Sequence, residues 1–242
     1  MKKKLFLSLF FKFVVIISAT TGVVFNVLGV GTDFNNGPSS LLYFTLQSNI
    51  WILIYTLFET VLILNYFHKH KDIYPFKRWQ NVLKIVFTTS ITLTGMVFVF
   101  MLAPTLGNLA WTIPSILLHV ISPVFAVSDL LVSKSYNKMN IKFIDSFYSL
   151  IPPSYYLVLT IIGFNLNFDY AYGNNFPYFF LNFTSPAGIF GFSDNAPYYI
   201  GSFYWVIILS IFVYLVSVVY IWIMKTHRGK NLIKKQTNDF PL

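Results

Sequence analysis

The sequence predicts an all-α polytopic membrane protein of six transmembrane helices with both termini cytoplasmic. Three observations carry that prediction. The 242 residues are 56% apolar and only 10% charged, against about 25% charged in an ordinary soluble domain. Six apolar stretches, at residues 5–25, 41–67, 82–103, 111–132, 147–167 and 200–224, each approach the ~20 residues needed for a helical crossing. All 17 Lys and Arg read as non-membrane charges. Lys2, Lys3, Lys4 and Lys12 are assigned to the N-terminal end; Lys69, Lys71, Lys77, Arg78 and Lys84 to the second gap; Lys134, Lys138 and Lys142 to the fourth; and Lys225, Arg228, Lys230, Lys234 and Lys235 to the C-terminal end. Basic residues confined to alternate gaps give the orientation in a cell membrane. They also make nucleic acid an unsuitable partner despite the net charge of +9. The absence of cysteine excludes disulfides, thiolate metal sites and a Cys nucleophile. One domain spans the chain.

The first stretch has the Lys-rich start of a signal peptide, but no small-x-small cleavage site follows cleanly and the apolar run outlasts a typical h-region, so a retained helix is expected. Its Ser18, Thr20, Thr21, Gly22 and Asn26 read as helix-packing positions. Residues 29–40, rich in Gly, Asn and Ser, read as an irregular outer loop.

The second stretch opens on Tyr43-Phe44-Thr45-Leu46-Gln47-Ser48-Asn49, where polar side chains are costly unless they face inward or act chemically. At about 100° per residue, Thr45, Ser48, Asn49, Ile52, Thr56 and Glu59 form one stripe. His68 and His70 at its far end lack a third metal ligand and read as part of a basic headgroup belt. Thr88, Thr89, Ser90, Thr92 and Thr94 in the third helix are expected to bond back to their own carbonyls. The short connection after Pro104 makes the third and fourth helices antiparallel neighbours.

His119 in the fourth helix is the one histidine away from the loops, and Thr112, Ser115, Ser122, Ala126, Asp129 and Ser133 are placed on its face. Because the second and fourth helices run in the same direction, Thr45 and His119 should lie within about 6 Å along the membrane normal. A hydroxyl beside an imidazole is the requirement for acyl transfer, the ring taking the proton as the oxygen attacks. Asn49, Asp129 or a neighbouring hydroxyl would orient the ring, and Asn49, Ser48 or Ser122 would steady an oxyanion. Pro152-Pro153 should break the fifth helix, turning Tyr155 and Tyr156 toward a cavity. The aromatic segment 167–199, without Lys or Arg, reads as a cap contributing Tyr178 and Asn182. Asn182-Phe183-Thr184 also matches a glycosylation sequon. No motif calls for a cofactor or metal.

Thr45 within Tyr43–Asn49, His119 followed by Pro123, Pro152-Pro153-Ser154-Tyr155-Tyr156, and Phe176-Pro177-Tyr178-Phe179-Phe180-Leu181-Asn182 together resemble the bacterial Pr6Pr-type membrane proteins. These are related to the animal androgen-induced and androgen-dependent TFPI-regulating proteins. The resemblance covers residues 41–183. It implies a six-helix intramembrane threonine hydrolase acting on fatty acid esters of hydroxy fatty acids, with the nucleophile carried to Thr45 and the base to His119. Asn182 departs from the acid that many bacterial relatives have there. A more distant branch transfers acyl groups with Cys as nucleophile, which keeps transfer open alongside hydrolysis. The expected partners are membrane lipids and a lipid ester. The same polar stripes would also suit a non-enzymatic lipid or small-molecule binder or transporter, served by Glu59 and Asp129; oligomeric state has no sequence signal.

Overall fold

A helix in lipid inverts the usual amphipathic pattern, and the first span (Lys3–Leu28) does so residue by residue. Phe6, Phe10, Phe13 and Ile17 are exposed, whereas Ser8, Lys12, Val15, Ser18 and Asn26 are buried. The architecture in this computed structural model is six such crossings, continued by Phe44–His70, Arg78–Ala110, Ile113–Ser133, Phe143–Asn165 and Ser202–Lys225. The structure describes residues 2–31, 37–72, 74–137, 140–170 and 173–238, with side chains between residues 3 and 225. Loop residues 32–36 and the side chains of Lys2, Lys138, Arg228, Lys230, Lys234 and Lys235, used in the sequence reading, lie outside the described residues. An isolated bridge pairs Phe192 with Ile200.

The first four spans form the central bundle. The first packs on the second and fourth, and the third on the second and fourth, while the sixth joins through the third. The third and fourth are therefore neighbours, as the short connection requires. The third helix runs further than its apolar stretch suggests, reaching Ala110 through a 3-10 turn at Gly107–Ala110.

Helical irregularities fall just before prolines. The third span contains a π turn at Phe98–Leu102 ahead of Pro104, and the fourth a π turn at Leu117–Ile121 ahead of Pro123. The fifth begins as 3-10 helix, Phe143–Leu150, and becomes α-helical only at Ile151, where Pro152 and Pro153 occupy its first turn. Each proline lacks a donor for the carbonyl four residues back and crowds it, so the preceding turn rewinds.

The interior is held by charge. Lys12 Nζ lies 2.9 Å from Glu59 Oε2 and also pairs with Asp129, while Lys84 Nζ lies 2.9 Å from Glu59 Oε1 and 2.8 Å from Asp129 Oδ2. Ser8 donates to Asp129 and meets the Tyr136 hydroxyl at 2.7 Å. Each of the first four spans contributes one charge to a neutral, buried quartet. This corrects the assignment of Lys12 and Lys84 to the loops: they are 0% and 2% exposed. Their ammonium groups stay in the bundle because each has two carboxylates, which offset a desolvation cost of several kcal/mol per ion.

Removing one member strands the others. Lys12→Met should lower stability by about 3–5 kcal/mol, read as thermal unfolding in detergent. Adding Asp129→Asn to Lys12→Met restores neutrality and should recover a large part of the loss. Native-like stability for Lys12→Met alone would show that the quartet does not hold the bundle.

Candidate functional site

The second span begins after a 3-10 turn, Gly37–Leu42, and Tyr43 enters it extended, at φ −84° and ψ 140°, with no side-chain cap. Thr45 therefore falls in the first helical turn, where backbone N–H groups have no intrahelical acceptor. Its N–H donates to the Tyr178 hydroxyl at 3.3 Å. Its Oγ1 lies 3.2 Å from His119 Nε2 and 3.3 Å from the same Tyr178 oxygen.

His119 is fixed from three sides. Its Nδ1 is 2.9 Å from the Ser115 carbonyl oxygen. Its ring stacks on Phe98 with centroids 4.2 Å apart and planes 15° from parallel, so the two π turns meet face to face. Its backbone is approached closely by Gly95, where a Cβ would come within 3.0 Å of the His119 carbonyl oxygen, while Gly22 makes room for the neighbouring Leu118 side chain, 2.6 Å from where a Cβ would lie. The carbonyl at Ser115 can only accept, so Nδ1 carries the hydrogen of the neutral ring. Nε2 then presents its lone pair to Thr45, whose hydroxyl donates to it. Tyr178 is left to donate its own hydrogen toward Thr45 Oγ1. Burial pushes the Tyr178 phenol above its ordinary range, so it keeps that hydrogen at neutral pH.

Tyr178 is set by aromatic packing. It stacks on Phe180 at 5.0 Å and 4°, and meets Tyr43 edge-on at 5.8 Å. Tyr43 in turn donates to the Tyr170 carbonyl at 2.9 Å. The segment between the fifth and sixth spans thus lies over the head of the second and supplies Asn174, Pro177, Asn182 and Tyr198 to a cavity of about 440 Å³ shared with Thr45 and His119.

The structure brings Thr45, His119 and Tyr178 together, with Asn182 on the same cavity wall, where its Oδ1 accepts from Thr184 N–H and Oγ1 at 3.0 Å each. Tyr156 is buried and lines a second cleft. Other expected assignments are corrected. Asn49 donates to the carbonyls of Thr45 (2.8 Å) and Leu118 (3.2 Å), so its N–H groups tie the second span to the fourth and face no oxyanion. Ser48 contacts the Thr45 carbonyl at 3.1 Å and Thr94 Oγ1 at 2.7 Å. Ser122 Oγ is buried without a hydrogen-bond partner among the described residues. Asp129 belongs to the quartet, ten residues and about 15 Å of helix from His119, so it does not orient the ring. Tyr155 is 51% exposed and packs outside against Trp51, because the helix places adjacent residues about 100° apart. The orienting group is a backbone carbonyl, which no side-chain pattern names; its one sequence signal is that Ser115 stands four residues before His119.

Comparison of the chain with protein-family models, curated proteins and solved structures finds no match.

The tautomer has a direct check. In ¹⁵N-histidine-labelled protein, the ring signal that disappears in His119→Gln should show Nδ1 protonated and Nε2 bare at neutral pH. A protonated Nε2 in the neutral ring would remove it as acceptor for Thr45.

Proposed function

We propose that the protein is an intramembrane lipid-ester hydrolase in which Thr45 is the nucleophile and His119 the general base. The observation that carries this reading is the chain Thr45 Oγ1, His119 Nε2, His119 Nδ1, Ser115 carbonyl, with separations of 3.2 and 2.9 Å at its two hydrogen bonds. It combines an attacking oxygen, a proton acceptor and an orienter.

In the proposed reaction, Thr45 Oγ1 attacks the ester carbonyl carbon while its proton passes to His119 Nε2. The Oγ1–C bond forms and the carbonyl electron pair moves onto oxygen. As attack proceeds, the Tyr178 O–H, 3.3 Å from Thr45 Oγ1, turns to donate to the developing oxyanion, and the Thr45 N–H, which rests on the same Tyr178 oxygen, is released beside it. Collapse breaks the bond from carbon to the leaving oxygen, which takes the proton from Nε2 and departs as the alcohol. Water then attacks the acyl-threonine, giving its proton to Nε2. The second collapse releases the carboxylic acid and returns the proton to Thr45. An alcohol replacing that water would make the same site an acyltransferase.

The expected substrates are esters held in the bilayer, such as the fatty acid esters of hydroxy fatty acids that the Pr6Pr-type resemblance implies. In the same reading the chain resides in the cell membrane with its termini on the cytoplasmic side. The segment 166–201 then faces outward, an orientation supported by the Lys and Arg outside the quartet.

With a lipid-ester panel, Thr45→Ala should abolish turnover and labelling by a fluorophosphonate probe, and His119→Ala should lower turnover by about 10²–10⁴. Tyr178→Phe should lower kcat by roughly 10²–10³ with little change in KM. Undiminished turnover by Thr45→Ala would remove it as nucleophile. Tight lipid retention without turnover or labelling of the native protein would favour the non-enzymatic binder.

A further inference from the structure

Thr45 stands in the partition between two chambers. The wider is the 440 Å³ cavity holding His119, Asn182 and Tyr198. The second, of about 90 Å³, leads away from Thr45 between the third, fifth and sixth spans, past Leu93, Leu157, Val206 and Leu209. The chambers share Thr45, Leu102 and Tyr178. A reacting ester carbonyl at Thr45 has one substituent on each side, so the two halves of the substrate are separated by the geometry of the partition.

The narrow chamber lies where the fifth span changes from 3-10 to α-helix at the double proline. Below it, the 3-10 turn Phe143–Leu150 is held to the sixth span by Ser149 donating to Ser217 Oγ at 2.8 Å. From Pro152-Pro153 onward the fifth helix makes almost no close backbone approach to the sixth. The resulting gap contains Ser154, which is exposed, with Val206, Leu209 and Ser210 half-buried across it. This mouth opens sideways, within the length of both apolar spans. At that depth the surrounding medium is hydrocarbon, and a hydrocarbon chain crosses from lipid into a leucine- and valine-lined cleft without desolvating a polar group.

We propose that this cleft is the acyl-chain subsite, filled laterally from the bilayer between the fifth and sixth spans, and that the wider chamber receives the alcohol half. The proposal rests on the hydrolase reading for the identity of the halves. The cleft as a fatty-acyl site stands on its own geometry. Leu157 from one wall and Leu209 from the other set its bore, so the acyl chain is selected there and the alcohol is selected by the capping segment.

Two experiments test it together. Leu209→Trp and, separately, Leu157→Trp are assayed on p-nitrophenyl palmitate and p-nitrophenyl acetate, with fluorophosphonate labelling as the check that the site is assembled. The palmitate-to-acetate ratio of kcat/KM should fall by at least about tenfold in both; an unchanged ratio in two variants that still label overturns the proposal. In liposomes, Thr45→Ala protein is crosslinked with a diazirine-bearing palmitate and the adduct mapped by mass spectrometry. Adducts competed by unlabelled palmitate are expected within residues 153–157 or 206–210, and competed adducts confined to residues 174–198 overturn the assignment. Crosslinking in the cleft by a protein without esterase activity would remove the hydrolase reading and leave the acyl site. Esterase activity with no competed adduct in the cleft would do the reverse.

Discussion

The quartet of Lys12, Glu59, Lys84 and Asp129 is the constraint from which the rest of the bundle is measured. Apolar packing in a bilayer gives neighbouring helices little preference for one axial register, since lipid tails are as apolar as leucine. Two ammonium groups, each touching both carboxylates, do give one: a slide by a single turn would shift partners now in contact by about 5.4 Å along the axis and strand ions in hydrocarbon. Thr45 is fourteen residues from Glu59 and His119 ten from Asp129, on the same side of the quartet. The register fixed in one half of the bundle therefore sets which side chains meet in the other.

Near the site, control passes from charge to backbone irregularity. Regular helices would direct Phe98 and His119 by the 100° rule alone. The π turns rewind each helix one turn before a proline and leave the two rings stacked. Gly22 and Gly95 let the first and third spans approach the turn around His119 closely: a methyl group at Gly22 would overlap Leu118, and one at Gly95 would press on the His119 carbonyl. The imidazole is thus held by a carbonyl and a ring, and its backbone by the close approach of Gly95, with one nitrogen facing one hydroxyl. Under the proposed reaction, a base whose orientation is fixed before substrate arrives needs no reorganisation during proton transfer.

Much of this was legible in the sequence where it depended on composition and period. The six crossings, the buried stripe from Thr45 to Glu59, the break at Pro152-Pro153 and the shared depth of Thr45 and His119 all follow from side-chain type and spacing. What was not legible depended on atoms or distances that spacing does not encode. Lys12 and Lys84 stand near the ends of apolar runs, so each reads as a flanking charge; two lysines and two carboxylates in register on adjacent helices was the signal that pairs them. Asp129 shares a helical face with His119 on paper, but a face has length, and ten residues is too far. Tyr155 and Tyr156 are equivalent in composition and opposite in space. Ser115 acts through its main chain, where any residue would serve.

The position of Thr45 along its helix decides what its amide can do. Inside a transmembrane helix each backbone N–H is normally consumed by a carbonyl four residues earlier, and breaking that bond in hydrocarbon is costly. The first turn is the exception, because its N–H groups have no helical acceptor and the positive end of the helix dipole faces outward there. Thr45 in that turn has an amide outside the helical ladder, which donates to the Tyr178 hydroxyl. Moved one turn deeper, to the position of Asn49, the same hydroxyl would stay buried but its amide would be taken up by the helical ladder. Under the proposed reaction, this is why the chemistry belongs at the head of the second span, beneath an aromatic segment that covers it, and not at the quartet, where the fixed charges already neutralise one another.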